Sequence, residues 1–266
     1  MHLFNAALLG VVQGLTEFLP ISSTAHLILG ARMLGFADPG GVFTVMIQLG
    51  AILAVVWLYR AKVLSVVLGL PSRPEARRFA ALVLIGFLPA LVAGALFSDY
   101  VKQVLYYSPR VMAAAFIAGG VVMLLVERLR PRPTVSDLDT MPFSKSLAVG
   151  VAQVLALVPG VSRSGATIVG GLLSGLDRTT AAEFSFFLSM PTMTAAFVHD
   201  LMEVRHDLST ARAGEIGVGF VMAFIAALLV VKPFLRFVGR AGFAPFAWYR
   251  ISVGAAMVLA MAAGWL

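Results

Sequence analysis

Apolar residues dominate six stretches of the chain, roughly 43–60, 80–98, 110–127, 184–203, 216–236 and 248–266. Each is close to the about 20 residues that an α-helix needs to cross the hydrocarbon core of a bilayer, so six transmembrane helices are predicted. Trp57 with Tyr59, Tyr100, Tyr106 with Tyr107, Trp248 with Tyr249, and Trp265 fall at the ends of these runs. Amphipathic rings belong there, at the membrane–water interface.

Two further apolar segments are broken. Residues 3–34 are interrupted by Pro20-Ile21-Ser22-Ser23-Thr24, and residues 146–175 by Pro159-Gly160-Val161-Ser162-Arg163-Ser164-Gly165. Proline cannot continue a helix and serine or threonine can cap the next one. Each segment therefore predicts a helix, a polar turn and a second short helix, with neither half long enough to span comfortably.

Composition agrees. The chain is 60% hydrophobic and 12% charged, with a mean hydropathy of +0.94, against roughly 45–50% and 25% in soluble domains. Water cannot be its main solvent. The net charge of +7 sits in short connections between apolar runs, which points to membrane topology and anionic lipid rather than nucleic acid. With no cysteine, disulfides, thiolate nucleophiles and cysteine-ligated zinc are excluded. The first twenty residues lack a basic leader and a small-residue cleavage site and carry Gln13 and Glu17, so they are expected to be mature structure.

Lysine and arginine also set the expected orientation. Connections 60–78 (Arg60, Lys62, Arg73, Arg77, Arg78), 128–145 (Arg128, Arg130, Arg132, Lys145) and 232–250 (Lys232, Arg236, Arg240, Arg250) are rich in them and are expected in the cytoplasm. Connections 31–42, 99–110 and 204–215 hold only Arg32, then Lys102 and Arg110, then Arg205 and Arg212, and are expected outside. The two sets alternate as six crossings require. The first broken segment then re-enters from outside and the second from the cytoplasm, so their polar turns can meet near mid-membrane.

An offset of 140 aligns Gly10 with Gly150, Val11 with Val151, Gln13 with Gln153, Leu15 with Leu155, Ser22 with Ser162, Ile28 with Ile168 and Gly30 with Gly170. Three spans separate the copies, and an odd number inverts the second. The expectation is an all-α polytopic membrane protein: six transmembrane helices plus two re-entrant helix-turn-helix segments, arranged as an inverted-topology repeat. Residues 1–266 form one membrane domain with halves at about 1–128 and 146–266 and a cytoplasmic linker at about 129–145.

An ionisable group deep in a bilayer costs about 3 kcal/mol on insertion scales and marks a functional candidate. Within the broken segments these are Glu17, His26 and Arg163. Gln13 and Glu17, four apart, share a helical face near the turn with Ser22, Ser23, Thr24 and His26; the second turn adds Ser162, Arg163 and Ser164. A bidentate guanidinium, hydroxyls and helix N-termini suit phosphate, and a hydroxyl beside an imidazole is the minimum for an activated nucleophile. The hydroxyls can instead bond their own backbone, Glu17 can be only the partner of Arg163, and His26 only a satisfied polar group. Gly10-x-x-x-Gly14 and Gly171-x-x-x-Gly175 read as close helix packing. Glu183, His199, Asp200 and Glu203 are expected at the interface, outside the site.

Gln13-x-x-x-Glu17-Phe-Leu-Pro-Ile-Ser-Ser-Thr-Ala-His26 and Pro159-Gly-Val-Ser-Arg-Ser-Gly-Ala-Thr167 closely resemble the two signature motifs of the bacterial undecaprenyl-diphosphate phosphatase family associated with bacitracin resistance. The resemblance implies removal of the terminal phosphate of undecaprenyl diphosphate, regenerating the lipid carrier for peptidoglycan and other envelope polymers. It implies a multi-pass protein of the bacterial plasma (inner) membrane with its active site facing the periplasm, a divalent cation (Mg2+ or Ca2+), undecaprenyl diphosphate and membrane lipids as partners, and it admits a homodimer. By position, the resemblance gives Ser23 as nucleophile, His26 as its histidine, Arg163 as phosphate-binding arginine and Glu17 as acidic and metal-binding residue. The first motif position admits Glu or Gln in that family; here it is Gln13, so a second carboxylate ligand for metal is missing and Glu17 is left to carry that role. Gln13, Ser22, Thr24, Ser162, Ser164, Gly165 and Thr167 complete the expected substrate-binding set. Water positioned by Ser23 is the alternative nucleophile, and a lipid flippase or transporter is the rival class, because broken helices meeting at the midplane serve transport too.

Overall fold

The chain is described by a computed structural model that covers residues 2–105, 108–206 and 212–265. Eleven α-helices follow one another among the described residues: α1 (His2–Thr16), α2 (Ser23–Met33), α3 (Val42–Leu58), α4 (Arg60–Gly69), α5 (Pro74–Tyr100), α6 (Pro109–Leu129), α7 (Phe143–Val154), α8 (Arg163–Leu173), α9 (Arg178–Val204), α10 (Ala213–Ala241) and α11 (Ala244–Ala262). α5, α6, α9, α10 and α11 are each long and apolar enough to cross a membrane. The sixth candidate span is α3 taken together with α4, the two being bent by 75° at the break between them. All six apolar runs of the sequence are thus helices, and both broken segments are short helix pairs interrupted at the polar turns.

α4 is an element that hydropathy does not reveal, because residues 60–78 read as a charged connection. At the bend Arg60 donates to the Trp57 carbonyl at 2.9 Å and lies over the Trp57 ring at 4.7 Å. The guanidinium thereby satisfies a backbone acceptor that the bend frees.

The order broken pair, then three spans occurs twice, and the packing exchanges with it. α1 lies chiefly against α10, as α7 lies against α5; α3 packs on α10 as α9 packs on α5; and α6 pairs with α11. Gly10 rests on the backbone of Gly219 and Gly150 on that of Gly86, so close that an added Cβ would overlap the facing backbone in both places. Gly14 meets Ala223 and Ala227 in the same way. Small residues let membrane helices approach where no hydrophobic force separates helix from lipid. The second glycine pattern differs from expectation. α8 ends at Leu173 and Gly175 adopts a φ of +82° in the turn beyond, so only Gly171, against Ala181, packs helix to helix.

The connections gather in two groups. At one end Lys62 pairs with Asp139 at 2.7 Å, Arg78 donates to the Met141 carbonyl at 2.6 Å, and Glu127 accepts from Arg178 and from the Phe243 N–H. At the other, Arg212 lies over the Phe36 ring at 5.1 Å and Asn5 bonds the Leu34 carbonyl at 3.2 Å. This is the grouping that the alternating charge count demands. One member of that count is misplaced: Arg250 is not in a connection but inside α11, 1% exposed. Trp57, Tyr100, Trp248 and Trp265 are exposed as an interfacial belt requires. Tyr59 instead packs edge-on against Phe187 at 4.7 Å, while Tyr106 and Tyr107 lie outside the described residues.

Candidate active site

Both breaks converge on one cavity of about 560 Å³. Its wall includes Gln13 and Glu17 from the end of α1, Ser22, Ser23 and Thr24 at the start of α2, Ser162 and Arg163 at the start of α8, and Gln153 from α7. α3 contributes Thr44 and Gln48, α5 its last turns to Ser98, and α9 Thr192 and His199. The chain builds the site this way because each break stops one half-helix and starts another. Ser23 and Arg163 are the first residues of α2 and α8, so their side chains leave the polar turn and not a lipid-facing surface.

Glu17 is the hub. Its Oε1 accepts from Arg163 Nη2 at 3.0 Å, and its Oε2 accepts from the Ser23 hydroxyl at 2.6 Å and from Gln13 Nε2 at 3.1 Å. Side-chain exposure is only 8% for Glu17 and 13% for Arg163, so each charge depends on the other. Breaking a buried pair costs about 3–5 kcal/mol. Arg163 Nη1 donates to the Ser185 carbonyl at 3.2 Å, its Nη2 touches the Met193 sulfur at 3.1 Å, and Phe18 lies under the guanidinium at 5.9 Å. Its Nε has no partner.

Ser22 precedes the hydroxyl with a backbone φ of +69°. This conformation costs of order 1–3 kcal/mol for a residue with a Cβ, and strain of this kind clusters at functional sites. It turns the chain sharply and presents Ser23 to Glu17.

Four expected site residues do not reach the cavity. Ser164 is fully buried and donates to the Leu19 carbonyl at 2.7 Å, while Ser162, at the cavity edge, hydrogen-bonds Ser164 at 2.9 Å and accepts from the Gly165 N–H at 3.1 Å. These hydroxyls tie the second break to the first and cap α8; Ser164 is taken up by protein, while Ser162 remains on the cavity wall. Thr167 bonds the Ser185 hydroxyl at 2.7 Å and the Arg163 carbonyl at 2.9 Å inside the α8–α9 packing. Gly165 faces Pro20, its ideal Cβ 3.6 Å from the proline Cβ. His26 is the fourth. Its Nδ1 contacts the Ser22 carbonyl at 2.7 Å, its Nε2 the Tyr249 hydroxyl at 2.6 Å, and its ring stacks on Tyr249. Both ring nitrogens are thus engaged by groups other than the Ser23 hydroxyl, which donates to Glu17 instead.

Other groups enter that the motifs did not single out. Gln153, partner of Gln13 at the 140 offset, is 2% exposed and its Nε2 is unpartnered; Gln13 Oε1 is likewise unpartnered. Both side chains line the cavity wall, and each keeps one buried amide atom without a protein partner. Their symmetry in the repeat was the available signal. His199 also lines the cavity, half-exposed near the end of α9 as its place near a span end predicts, with Nε2 3.6 Å from a Glu203 carboxylate oxygen.

Among the described residues, no three His, Asp or Glu side chains are grouped to hold a metal. Both Glu17 oxygens are taken, one by a guanidinium, and no second carboxylate is within the site. Glu17 alone therefore offers carboxylate oxygens on this wall, and a divalent cation here would need substrate phosphate oxygens and water to complete its shell.

Residues 6–256 match the family model described as bacitracin resistance protein BacA. The chain is 50% identical over 259 residues to undecaprenyl-diphosphatase 1 of Agrobacterium fabrum, covering 97% of each chain. It is 50% identical to the undecaprenyl-diphosphatase of Paracoccus denitrificans, covering 98% of this chain and 97% of that one. Against that of Phenylobacterium zucineum it is 51% identical, with 97% of each covered. Helices broken at two matching polar turns, a paired Glu17 and Arg163 and a full-length match agree: the chain belongs to the BacA family.

Proposed function

We infer that this chain is a phosphatase that converts undecaprenyl diphosphate to undecaprenyl phosphate, returning the carrier to peptidoglycan and envelope polymer synthesis and countering bacitracin. The observation that carries the assignment to a site is the Ser23 hydroxyl donating at 2.6 Å to Glu17, itself held by Arg163. A hydroxyl on a base, beside a guanidinium, in a cavity wide enough for a headgroup is the minimum for phosphoryl transfer.

In the step we propose, the cavity admits the diphosphate, and the guanidinium of Arg163, on the cavity wall, holds non-bridging oxygens of its terminal phosphate. Ser23 Oγ attacks the terminal phosphorus in line, and its proton passes to Glu17. The bond to the bridging oxygen breaks and the lipid monophosphate leaves. Glu17 hands that proton to the leaving lipid phosphate; water then attacks the phosphoserine and gives a proton to the freed Glu17 carboxylate, which passes it to Ser23 Oγ as inorganic phosphate departs. His26 takes no part in this proton traffic: it holds the strained Ser22 carbonyl. No step is routed through a metal; a divalent cation shared by Glu17 and the substrate oxygens would offset the charge of the diphosphate.

The cavity lies between the early turns of α3 and the late turns of α5 and α9. Those are the ends that the charge count assigns outside, which supports a site open to the periplasmic face of the inner membrane. The same count supports the inverted arrangement of the halves. The prenyl tail needs no pocket, since the bilayer solvates it.

The test is phosphate release from a prenyl diphosphate by the purified protein in detergent, where no gradient or sidedness exists. Release abolished by Ser23→Ala and by Arg163→Ala, with phosphoserine trapped at Ser23, is expected. Substantial turnover by Ser23→Ala transfers the attack to water, and absence of any release from the intact chain leaves transport as the activity.

A further inference from the structure

Arg250 is the largest fully buried side chain of the described residues, and nothing above uses it. No carboxylate pairs with it among the described residues. Its guanidinium instead donates to three backbone carbonyls: Nη1 to Pro20 at 3.2 Å, and Nη2 to Gly160 at 3.0 Å and Ala115 at 2.9 Å. The face of Phe116 lies 5.2 Å from it.

The choice of carbonyls is specific. Pro20 and Gly160 are equivalent at the 140 offset, one in each break, and each lies three residues before the side chain that acts: Ser23 in the first, Arg163 in the second. Both carbonyls follow the end of a half-helix, where acceptors have no helical donor, and inside a membrane such groups must be satisfied by protein. One rigid planar cation satisfies both at once, a task suited to the fork geometry of arginine.

We propose that Arg250 is the positioning residue of this enzyme, a clamp on the two breaks that sets Ser23 and Glu17 in register with Arg163. It does not line the cavity and makes no contact with substrate. The α6 helix is shaped for it: a Cβ at Gly119 would lie 2.9 Å from the guanidinium carbon, so only glycine leaves the cation its place. The proposal rests on the assignment of Ser23 and Arg163 to the reaction, and its test includes a readout independent of that assignment.

Arg250→Met, Arg250→Lys and Gly119→Ala are compared with the intact chain for thermal stability and for phosphate release. A misplacement of reacting groups by about 1 Å can cost on the order of 100-fold, so a kcat loss of about 10- to 100-fold is expected for Arg250→Met and Gly119→Ala. KM should stay within a few fold, and Arg250→Lys should fall between. Gly119→Ala keeps the guanidinium and only displaces it, so it decides the matter where Arg250→Met does not fold. A folded Arg250→Met or Gly119→Ala protein with the kcat of the intact chain overturns the proposal, as does a raised KM at unchanged kcat. The chain has no cysteine, which permits a direct measure of register. Pro20→Cys with Gly165→Cys would place two Cβ atoms about 3.6 Å apart, within the span of a disulfide. That bond should form readily with Arg250 in place and markedly more slowly in Arg250→Met. Equal rates overturn the clamp whatever the role of Ser23.

Discussion

Glu17→Gln is the sharpest perturbation of the site, because it changes charge and basicity while keeping size. Glu17 accepts three hydrogen bonds, one through Oε1 and two through Oε2. An amide offers one acceptor and one NH2, so in either orientation a donor meets a donor, at Arg163 or at Ser23 and Gln13. The amide cannot take the proton of Ser23, and loss of a general base lowers kcat by about 10²–10⁴, or about 3–5 kcal/mol at 1.36 kcal/mol per decade. Arg163 meanwhile loses its anion. An unpaired buried charge costs about 3–5 kcal/mol, but a bound diphosphate restores the missing negative charge. The signature is therefore a kcat reduced at least 100-fold, a KM that does not rise, and a lowered Tm that inorganic pyrophosphate raises again. Detergent phosphate-release kinetics and thermal unfolding with and without pyrophosphate read all three. A Glu17→Gln protein with kcat within tenfold of the intact chain would refute the role of Glu17 as base. A KM raised at unchanged kcat would make it a binding residue only.

Ser22→Val, which puts a β-branched side chain at a φ of +69°, should lower stability by about 1–3 kcal/mol, read as a fall in Tm; an unchanged Tm contradicts the strain. His26→Gln should keep the shape of the wild-type pH–rate profile, because the imidazole is engaged with Ser22 and Tyr249 and not with the reacting hydroxyl; disappearance of a limb of that profile returns His26 to the proton transfer. Gly10→Val and Gly150→Val should each lower Tm, since no Cβ fits against Gly219 or Gly86, and a tolerated valine at either place breaks the packing equivalence of the halves. Chelation of divalent ions should leave the Tm of the substrate-free protein unmoved, because among the described residues no three His, Asp or Glu side chains are grouped and any cation would need substrate oxygens; a drop in Tm reveals a cation held by the protein alone.

The spans, the breaks and the acid–arginine pair are legible in the sequence for one physical reason: in a membrane, polarity is expensive. A proline and three hydroxyl residues inside an apolar run, or a lone arginine at mid-depth, has few explanations, so Pro20 to Thr24 and Arg163 announce themselves. What is not legible is direction. His26 and Ser23 are three apart, and whether both face the cavity depends on how α2 is turned against α11, which Tyr249 decides. Ser162, Ser164 and Thr167 look like phosphate ligands by chemistry, yet the second break must also be fastened to the first, and that need takes Ser164 and leaves Ser162 at the edge.

Arg250 shows the same limit from the other side. Its neighbours in sequence, Trp248 and Tyr249, mark an interface, and a cation beside them reads as one more cytoplasmic charge. The positive-inside count survives its removal, because Lys232, Arg236 and Arg240 remain. A topology rule that sums charges is insensitive to the fate of any one of them. The carbonyls that claim Arg250 leave no trace in composition or periodicity, since every residue has a carbonyl. Only the repeat holds a hint: a fold with two breaks facing each other has two sets of orphan acceptors, and something with several donors must lie between them.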